Sequence, residues 1–151
     1  MKSTLTRTAM AKTFSNFDTR ELERRLYLLL ADFSWNDAVL GKITAKKSFQ
    51  TNYASIDVLH NIWLFVFYAL LANYGDKAAT IHDWLYSGYG IEKEDGTIYY
   101  PTRLECDQAL YRALRDEGVA RWRAWIFYAG VRIGGESAFA KGPSKFVSVD
   151  F

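Results

Sequence analysis

Residues 33–45, which read FSWNDAVLGKITA, decide the fold class. Phe33 and Trp35 alternate with polar residues, and the same alternation returns from Ile43 onward. This period of two is typical of strands that bury one face. Between the two runs, asparagine, aspartate and glycine supply turn chemistry. The pattern predicts a β-hairpin with strands at Arg25–Trp35 and Lys42–Thr51 and a connection at Asn36–Gly41.

Helical patterns dominate the rest of the chain. The run from Val58 to Tyr74 is almost wholly apolar and predicts a central helix. A later helix begins with a Thr102-x-x-Glu105 capping box and ends before Gly118. Two more helices are predicted at about Lys77–Tyr86 and Ala120–Val131. Residues 92–100 are compatible with either a small hairpin or a surface loop.

These elements predict an α+β fold, in which an N-terminal β-hairpin packs beside a cluster of about four helices. Alternation at Val147, Val149 and Phe151 is also compatible with a short C-terminal strand. The length of 151 residues fits one domain. We expect an N-terminal arm at residues 1–20, a single α+β domain at 21–135, and a tail at 136–151 that packs on the domain or on a partner.

Composition excludes several classes of protein and site. The 19 Lys and Arg against 17 Asp and Glu leave a net charge of +2, which is weak for a general nucleic-acid binder. Cys106 is the single cysteine, so an internal disulfide and a cysteine-based zinc site are excluded. The longest apolar run, Ile62 to Ala72, is shorter than the roughly 20 residues that span a bilayer. We therefore expect a soluble protein with no membrane span and no strong nucleic-acid signal.

The segment HDWLY at residues 82–86 places two ionisable side chains within an apolar helix. Burying either one without a partner is costly. On the next helix, Asp107 falls on the apolar face, and Arg103 lies one turn before it. We therefore predict that His82, Asp107 and Arg103 form one buried hydrogen-bonded network.

Three interpretations of this cluster remain open. The network can be structural and hold one helix against another. Alternatively, His82 acts as a general base that a carboxylate orients. In the third interpretation, Asp83 and Asp107 bind a divalent metal such as magnesium or calcium. The residue spacing favours none of these strongly.

Two further patterns have both a structural and a functional interpretation. Ser55 lies between the second strand and the central helix, where it can cap the helix or serve as a nucleophile. No Gly-x-Ser-x-Gly pattern surrounds it, which favours capping. On the last helix, one face carries Trp122, Trp125, Ile126 and Ala129. This face is typical of a core stripe, although tryptophan beside arginine also occurs in single-strand nucleic-acid binding.

The order of motifs resembles the phage and prophage family called domain of unknown function 1353. That family has a Thr-Asp-x-Ala-Ser-x-Pro motif, a His-Asp-x-Leu-Tyr motif, then an Arg and an Asp on a helix, and a closing segment that ends in Gly. Here residues 82–86 match the second motif fully, and Arg103 and Asp107 match the third. Residues 128–135 are similar to the closing segment of the family pattern. The first motif departs at Asn52, which replaces Asp, and at Asp57, which replaces Pro.

The resemblance implies a phage or prophage origin and a pocket shared by the distant polar motifs. We expect Asn52, Tyr86 and Arg103 to belong to its binding or structural network. Loss of the carboxylate at Asn52 weighs against catalysis. The expected function is therefore a structural or assembly protein, associated with the virion or its tail, and not an enzyme.

The alternatives are a small hydrolase acting on cell wall or a nucleotide, and a host-modulating protein outside the virion. The catalytic candidates of the hydrolase are His82, Asp83, Asp107 and Ser55. No cofactor is expected, apart from a divalent metal in the third interpretation above. The predicted partners are other phage structural proteins or a second copy, through an interface of Phe139, Phe146 and Phe151. The expected location is the virion or the host cytoplasm.

Overall fold

The computed structural model of the chain describes residues 13–23, 26–51 and 75–148. Its strands form three small antiparallel sheets. The first sheet has the order β1–β2–β5, the second is the hairpin β3–β4, and the third is the hairpin β6–β7. The strands are β1 Thr19–Glu23, β2 Leu26–Leu29, β3 Phe33–Asp37, β4 Gly41–Ala45, β5 Gln50–Thr51, β6 Ile91–Glu92 and β7 Ile98–Tyr99.

The predicted hairpin is confirmed by β3 and β4. Trp35 lies opposite Ile43, and both side chains are fully buried in the core. The predicted strand lengths are wrong, because each long run is divided into two strands that join different sheets. The second run turns at Ser48, whose φ of 74° is unusual for a residue with a side chain. The three consecutive polar residues Lys46, Lys47 and Ser48 interrupt the period of two at this point, where the second run divides.

The chain before the hairpin lies against it. Phe14 forms a bridge with Trp35 and stacks on Phe33, with 5.9 Å between the ring centroids. Ser15 donates its backbone N–H to the carbonyl of Ser34 at 2.9 Å. Residues 13–20 are the described part of the expected arm. They lie against the domain, and Thr19 and Arg20 already belong to β1.

Three α-helices follow, α1 Asp76–Tyr86, α2 Arg103–Asp116 and α3 Arg121–Gly134, at the predicted positions, and a short 3-10 helix at Glu136–Ala138 comes after α3. The capping box of α2 is present, with Glu105 accepting from the Thr102 N–H at 2.7 Å. The fold class is therefore α+β. The predicted central helix at 58–74 lies outside the described residues. Among the residues that are described, no helix is long and apolar enough to cross a membrane.

Two details of the C-terminal part differ from expectation. The buried side of α3 consists of Ala124, Phe127 and Val131, whereas Trp122 and Trp125 are exposed. The predicted core stripe is therefore wrong, because the residues that α3 buries are spaced three and four apart on a different face from the two tryptophans. The tail forms no strand as far as Ser148, and its last three residues lie outside the described ranges.

Ion pairs and caps hold the hairpin and the helices together. Arg112 on α2 donates twice to Asp37 at the end of β3, both times at 2.7 Å. Glu117, just after α2, accepts from the backbone N–H of Ala78 at 3.1 Å in the first turn of α1. Burial raises the pKa of Glu117 above its ordinary value. These contacts set α1 against α2, and the candidate site lies between these two helices.

Candidate functional site

Asp107 is the centre of a hydrogen-bonded network that joins all three described helices. Its carboxylate is fully buried on the inner face of α2. Oδ1 accepts from the hydroxyl of Tyr86 at 2.5 Å and lies 2.9 Å from Nε2 of His82. Oδ2 accepts from Nη1 of Arg132 at 2.8 Å. We call these four residues the Asp107 network.

Helix geometry explains why these side chains meet. His82 and Tyr86 are four residues apart on α1, so both project from the same face toward α2. Arg132 lies in the last turn of α3 and reaches back to the carboxylate. A single buried carboxylate therefore fixes the relative positions of the three helices.

The structure brings together His82 and Asp107, and it gives Arg103 a second role beside its predicted pairing with Asp107. Nε of Arg103 lies 4.0 Å from Oδ2 of Asp107. Its Nη2 donates to the backbone carbonyls of Val131 and Arg132, at 2.9 and 2.6 Å. Arg103 thus caps the C-terminal end of α3, where free carbonyls favour a cation.

Arg132 is the closer ion partner of Asp107, and sequence reasoning missed it. An arginine in the last turn of a helix is common for reasons of helix capping alone. Its 25-residue separation from Asp107 leaves no local spacing that would link the two. The only available signal was the resemblance of residues 128–135 to the closing segment of the family.

The charges of the network follow from its contacts. Burial by itself raises the pKa of Asp107, but hydrogen bonds from His82, Tyr86 and Arg132 outweigh it and hold the pKa below the ordinary 3.8. The carboxylate is therefore ionised at neutral pH and accepts from all three partners. Burial and the nearby carboxylate raise the pKa of Tyr86 well above its usual value, so its hydroxyl remains a donor.

Gly135 is required where the hydroxyl of Tyr86 approaches the end of α3. A Cβ atom at this position would lie 2.8 Å from that hydroxyl and 2.5 Å from the carbonyl oxygen of Val131. Both distances are too short for a real contact. A glycine after α3 therefore lets Tyr86 reach Asp107.

Asp83 belongs to a separate, adjoining contact. Its carboxylate is buried and accepts a hydrogen bond from the hydroxyl of Thr51 at the end of β5. This bond links Thr51, with which the first family-like segment begins, to the segment at residues 82–86. Within residues 13–23, 26–51 and 75–148, no three side chains of His, Cys, Asp or Glu are placed to hold a metal ion.

The other predicted site residues are only partly described. Asn52, Ser55 and Phe151 lie outside the described residues. Phe139 packs edge-on against Tyr86, and Phe146 against Trp84, with centroid distances of 5.2 and 5.1 Å. These two rings are partly buried against the core of the same chain.

The geometry of the network suits helix packing better than proton transfer to a substrate. His82 and Asp107 have no solvent-exposed surface, and both carboxylate oxygens of Asp107 already have donors. A general base needs a lone pair within hydrogen-bond reach of the substrate. A buried carboxylate with all its partners in place instead makes the packing of the helices specific.

Comparison with known proteins identified one family. A family model described as a protein of unknown function (DUF1353) matches residues 27–131, well over half of the chain. The match begins in β2 and ends in α3, one residue before Arg132, and it includes His82, Tyr86 and Asp107. Searches of curated proteins and of solved structures found no significant match.

Proposed function

Since this chain belongs to the DUF1353 family, and since the Asp107 network is buried between the helices, we propose that it is a structural or assembly protein of a phage or prophage particle. The single observation that carries the proposal is the complete burial of His82 and Asp107 within a satisfied network. Such a network fixes helices but offers no reactive atom to a substrate. The phage origin rests on the family resemblance.

An exposed apolar surface on α3 supports a role in contact with another protein. Trp122, Trp125 and Ile133 are 53%, 58% and 87% exposed. We call the surface formed by these two tryptophans and the isoleucine the α3 aromatic face. The ring of Trp125 packs against Tyr111 and Tyr128, at 5.7 and 5.4 Å between centroids.

A preformed aromatic surface is typical of an interaction site, since tryptophan is enriched where proteins bind one another. Phe139 and Phe146 pack within the chain, so the α3 aromatic face is the better candidate for assembly. The rings that surround Trp125 also limit its side-chain freedom before binding, which lowers the entropic cost of association.

Mass spectrometry of purified particles tests the proposal. The protein should be present in the particle at a defined ratio to the other components. A double variant, Trp122→Ser and Trp125→Ser, should fold and yet be lost from the particle. Val39→Ser, which changes a side chain that is 69% exposed on the hairpin turn, is the matched control and should be incorporated normally. Absence of the wild-type protein from particles would refute the proposal.

A hydrolase is the second candidate, because the His82–Asp107 pair lies beside the buried Asp83–Thr51 contact. The test compares the thermal midpoint of His82→Ala with that of the wild type and measures bound metal by elemental analysis. An unchanged midpoint together with stoichiometric divalent metal would favour the hydrolase. A lowered midpoint without metal would favour the packing role.

A further inference from the structure

A groove of about 760 Å³ lies on the side of the domain formed by β4, the β6–β7 hairpin and the tail. Pockets of roughly 300–1,000 Å³ are the size that proteins use for small ligands. Four of its lining residues are Lys42, Lys46, Lys93 and Lys145. We call this cavity the lysine groove. It uses none of the residues of the Asp107 network.

The lysine groove carries excess positive charge. Glu92 and Glu94 also line it, and Glu92 lies 3.5 Å from Lys46 in an exposed ion pair, which is a weak interaction. Nζ of Lys93 donates to the backbone carbonyl of Leu40 at 2.8 Å, so its charge is not neutralised there.

The other two lysines of the groove differ from Lys46 in their ion pairing. Among the described residues, neither Lys42 nor Lys145 forms an ion pair. Lys42 comes from β4 and Lys145 from the tail, so these two cations reach the groove from different segments of the chain. An anionic group could therefore be approached by both of them.

The groove also has exposed apolar side chains. Ile98 and Tyr100 are 49% and 43% exposed. They lie close to the backbone of Gly90, where an added Cβ would be 2.6 Å from Ile98 and 3.0 Å from the ring of Tyr100. Below them, the rings of Trp84 and Tyr89 pack at 4.7 Å between centroids. The groove therefore combines apolar side chains with lysines.

We propose that the lysine groove binds a nucleotide, with its phosphate at Lys42 and Lys145 and its base against Tyr100 and Ile98. Lysine binds phosphate as a point charge, and aromatic side chains stack on bases of any sequence. The exposed ring of Tyr100 belongs to the same lining as the lysines and offers a surface on which a base stacks, which favours a nucleotide over an acidic peptide.

A free nucleotide and the end of a single strand present the same chemistry, so the test uses both. ATP is titrated into the full-length protein by calorimetry, and fluorescein-labelled dT12 is titrated by fluorescence anisotropy. Saturable binding of either probe is expected. Tighter binding of ATP would assign the groove to free nucleotides, and tighter binding of dT12 to single strands.

Matched charge reversals locate the binding site. Lys42→Glu with Lys145→Glu should weaken binding at least tenfold. The control, Lys47→Glu with Lys141→Glu, makes the same change in net charge at exposed residues outside the groove lining, in the turn after β4 and in the tail. It should weaken binding less than threefold. Thermal midpoints of both double variants check that the fold is intact.

A third variant tests the base contact. Tyr100→Ala should weaken binding of the preferred probe and leave its salt dependence unchanged, because a stacking ring releases no counterions. The inference is wrong if neither probe binds or if both double variants lose affinity equally. It is also wrong if inorganic triphosphate binds as tightly as ATP, or if hexaglutamate binds more tightly. These outcomes leave the assembly proposal untouched, since that proposal rests on α3 and the Asp107 network.

Discussion

Replacing Tyr86 with phenylalanine removes a single oxygen atom from the Asp107 network. The lost hydroxyl donates to the fully buried carboxylate of Asp107 at 2.5 Å. A hydrogen bond to a charged group contributes about 1.5–3 kcal/mol, and the ring itself stays, so no large cavity opens. His82 and Arg132 still hold the carboxylate. We therefore expect Tyr86→Phe to lower the free energy of unfolding by about 1.5–3 kcal/mol at pH 7.

Tyr99→Phe is the matched control. The hydroxyl of Tyr99 also donates to a carboxylate, that of Glu105, at 2.8 and 3.0 Å. This contact lies at the surface, where water can replace the lost hydroxyl. The change should therefore lower the free energy of unfolding clearly less than Tyr86→Phe does, because exposed charged contacts contribute little. Each variant removes a tyrosine hydroxyl that donates to a carboxylate, and the two sites differ mainly in burial.

Thermal and urea unfolding measure the difference. For a domain of about 150 residues, each kcal/mol shifts the melting temperature by roughly 2–4 °C, so Tyr86→Phe should melt about 3–12 °C lower. Tyr99→Phe should stay close to the wild type. Equal effects of the two substitutions would refute the reasoning, because burial would then have no bearing on the strength of the bond. A wild-type melting temperature for Tyr86→Phe would refute it as well.

Three further changes test other parts of the structure. Gly135→Ala should destabilise by about 1–3 kcal/mol through overpacking, while Gly142→Ala, where an added Cβ meets nothing within 4 Å, should have little effect in the same denaturation assay. Arg112→Lys should lower stability by about 1–2 kcal/mol, because lysine cannot reproduce the two hydrogen bonds to Asp37; wild-type stability would contradict this. Folding lowers the pKa of Asp107 below 3.8, so the unfolded chain binds more protons than the folded chain at acid pH. The free energy of unfolding therefore decreases as the pH falls through 3.8 toward the pKa of the folded state. Unfolding curves of Asp107→Asn between pH 5 and 2 should therefore show a shallower acid loss than those of the wild type.

Much of the secondary structure could be predicted because its signals are local. The capping box of Thr102 and Glu105 and the glycine at 118 marked both ends of α2. The alternation around Trp35 predicted the β3–β4 hairpin. The same kind of reasoning placed Asp107 on the inner face of its helix and His82 within a buried one, because a regular helix turns a spacing of three or four residues into a shared face.

Only the tertiary structure decided which partners these elements would find. Arg132 and not Arg103 became the nearest cation of Asp107, because helix packing and not sequence spacing sets that distance. The outward position of Trp125 likewise depended on which face of α3 fits α2. Local sequence patterns indicate which side chains of a segment can be buried or paired. Long-range packing determines which other part of the chain they pack against.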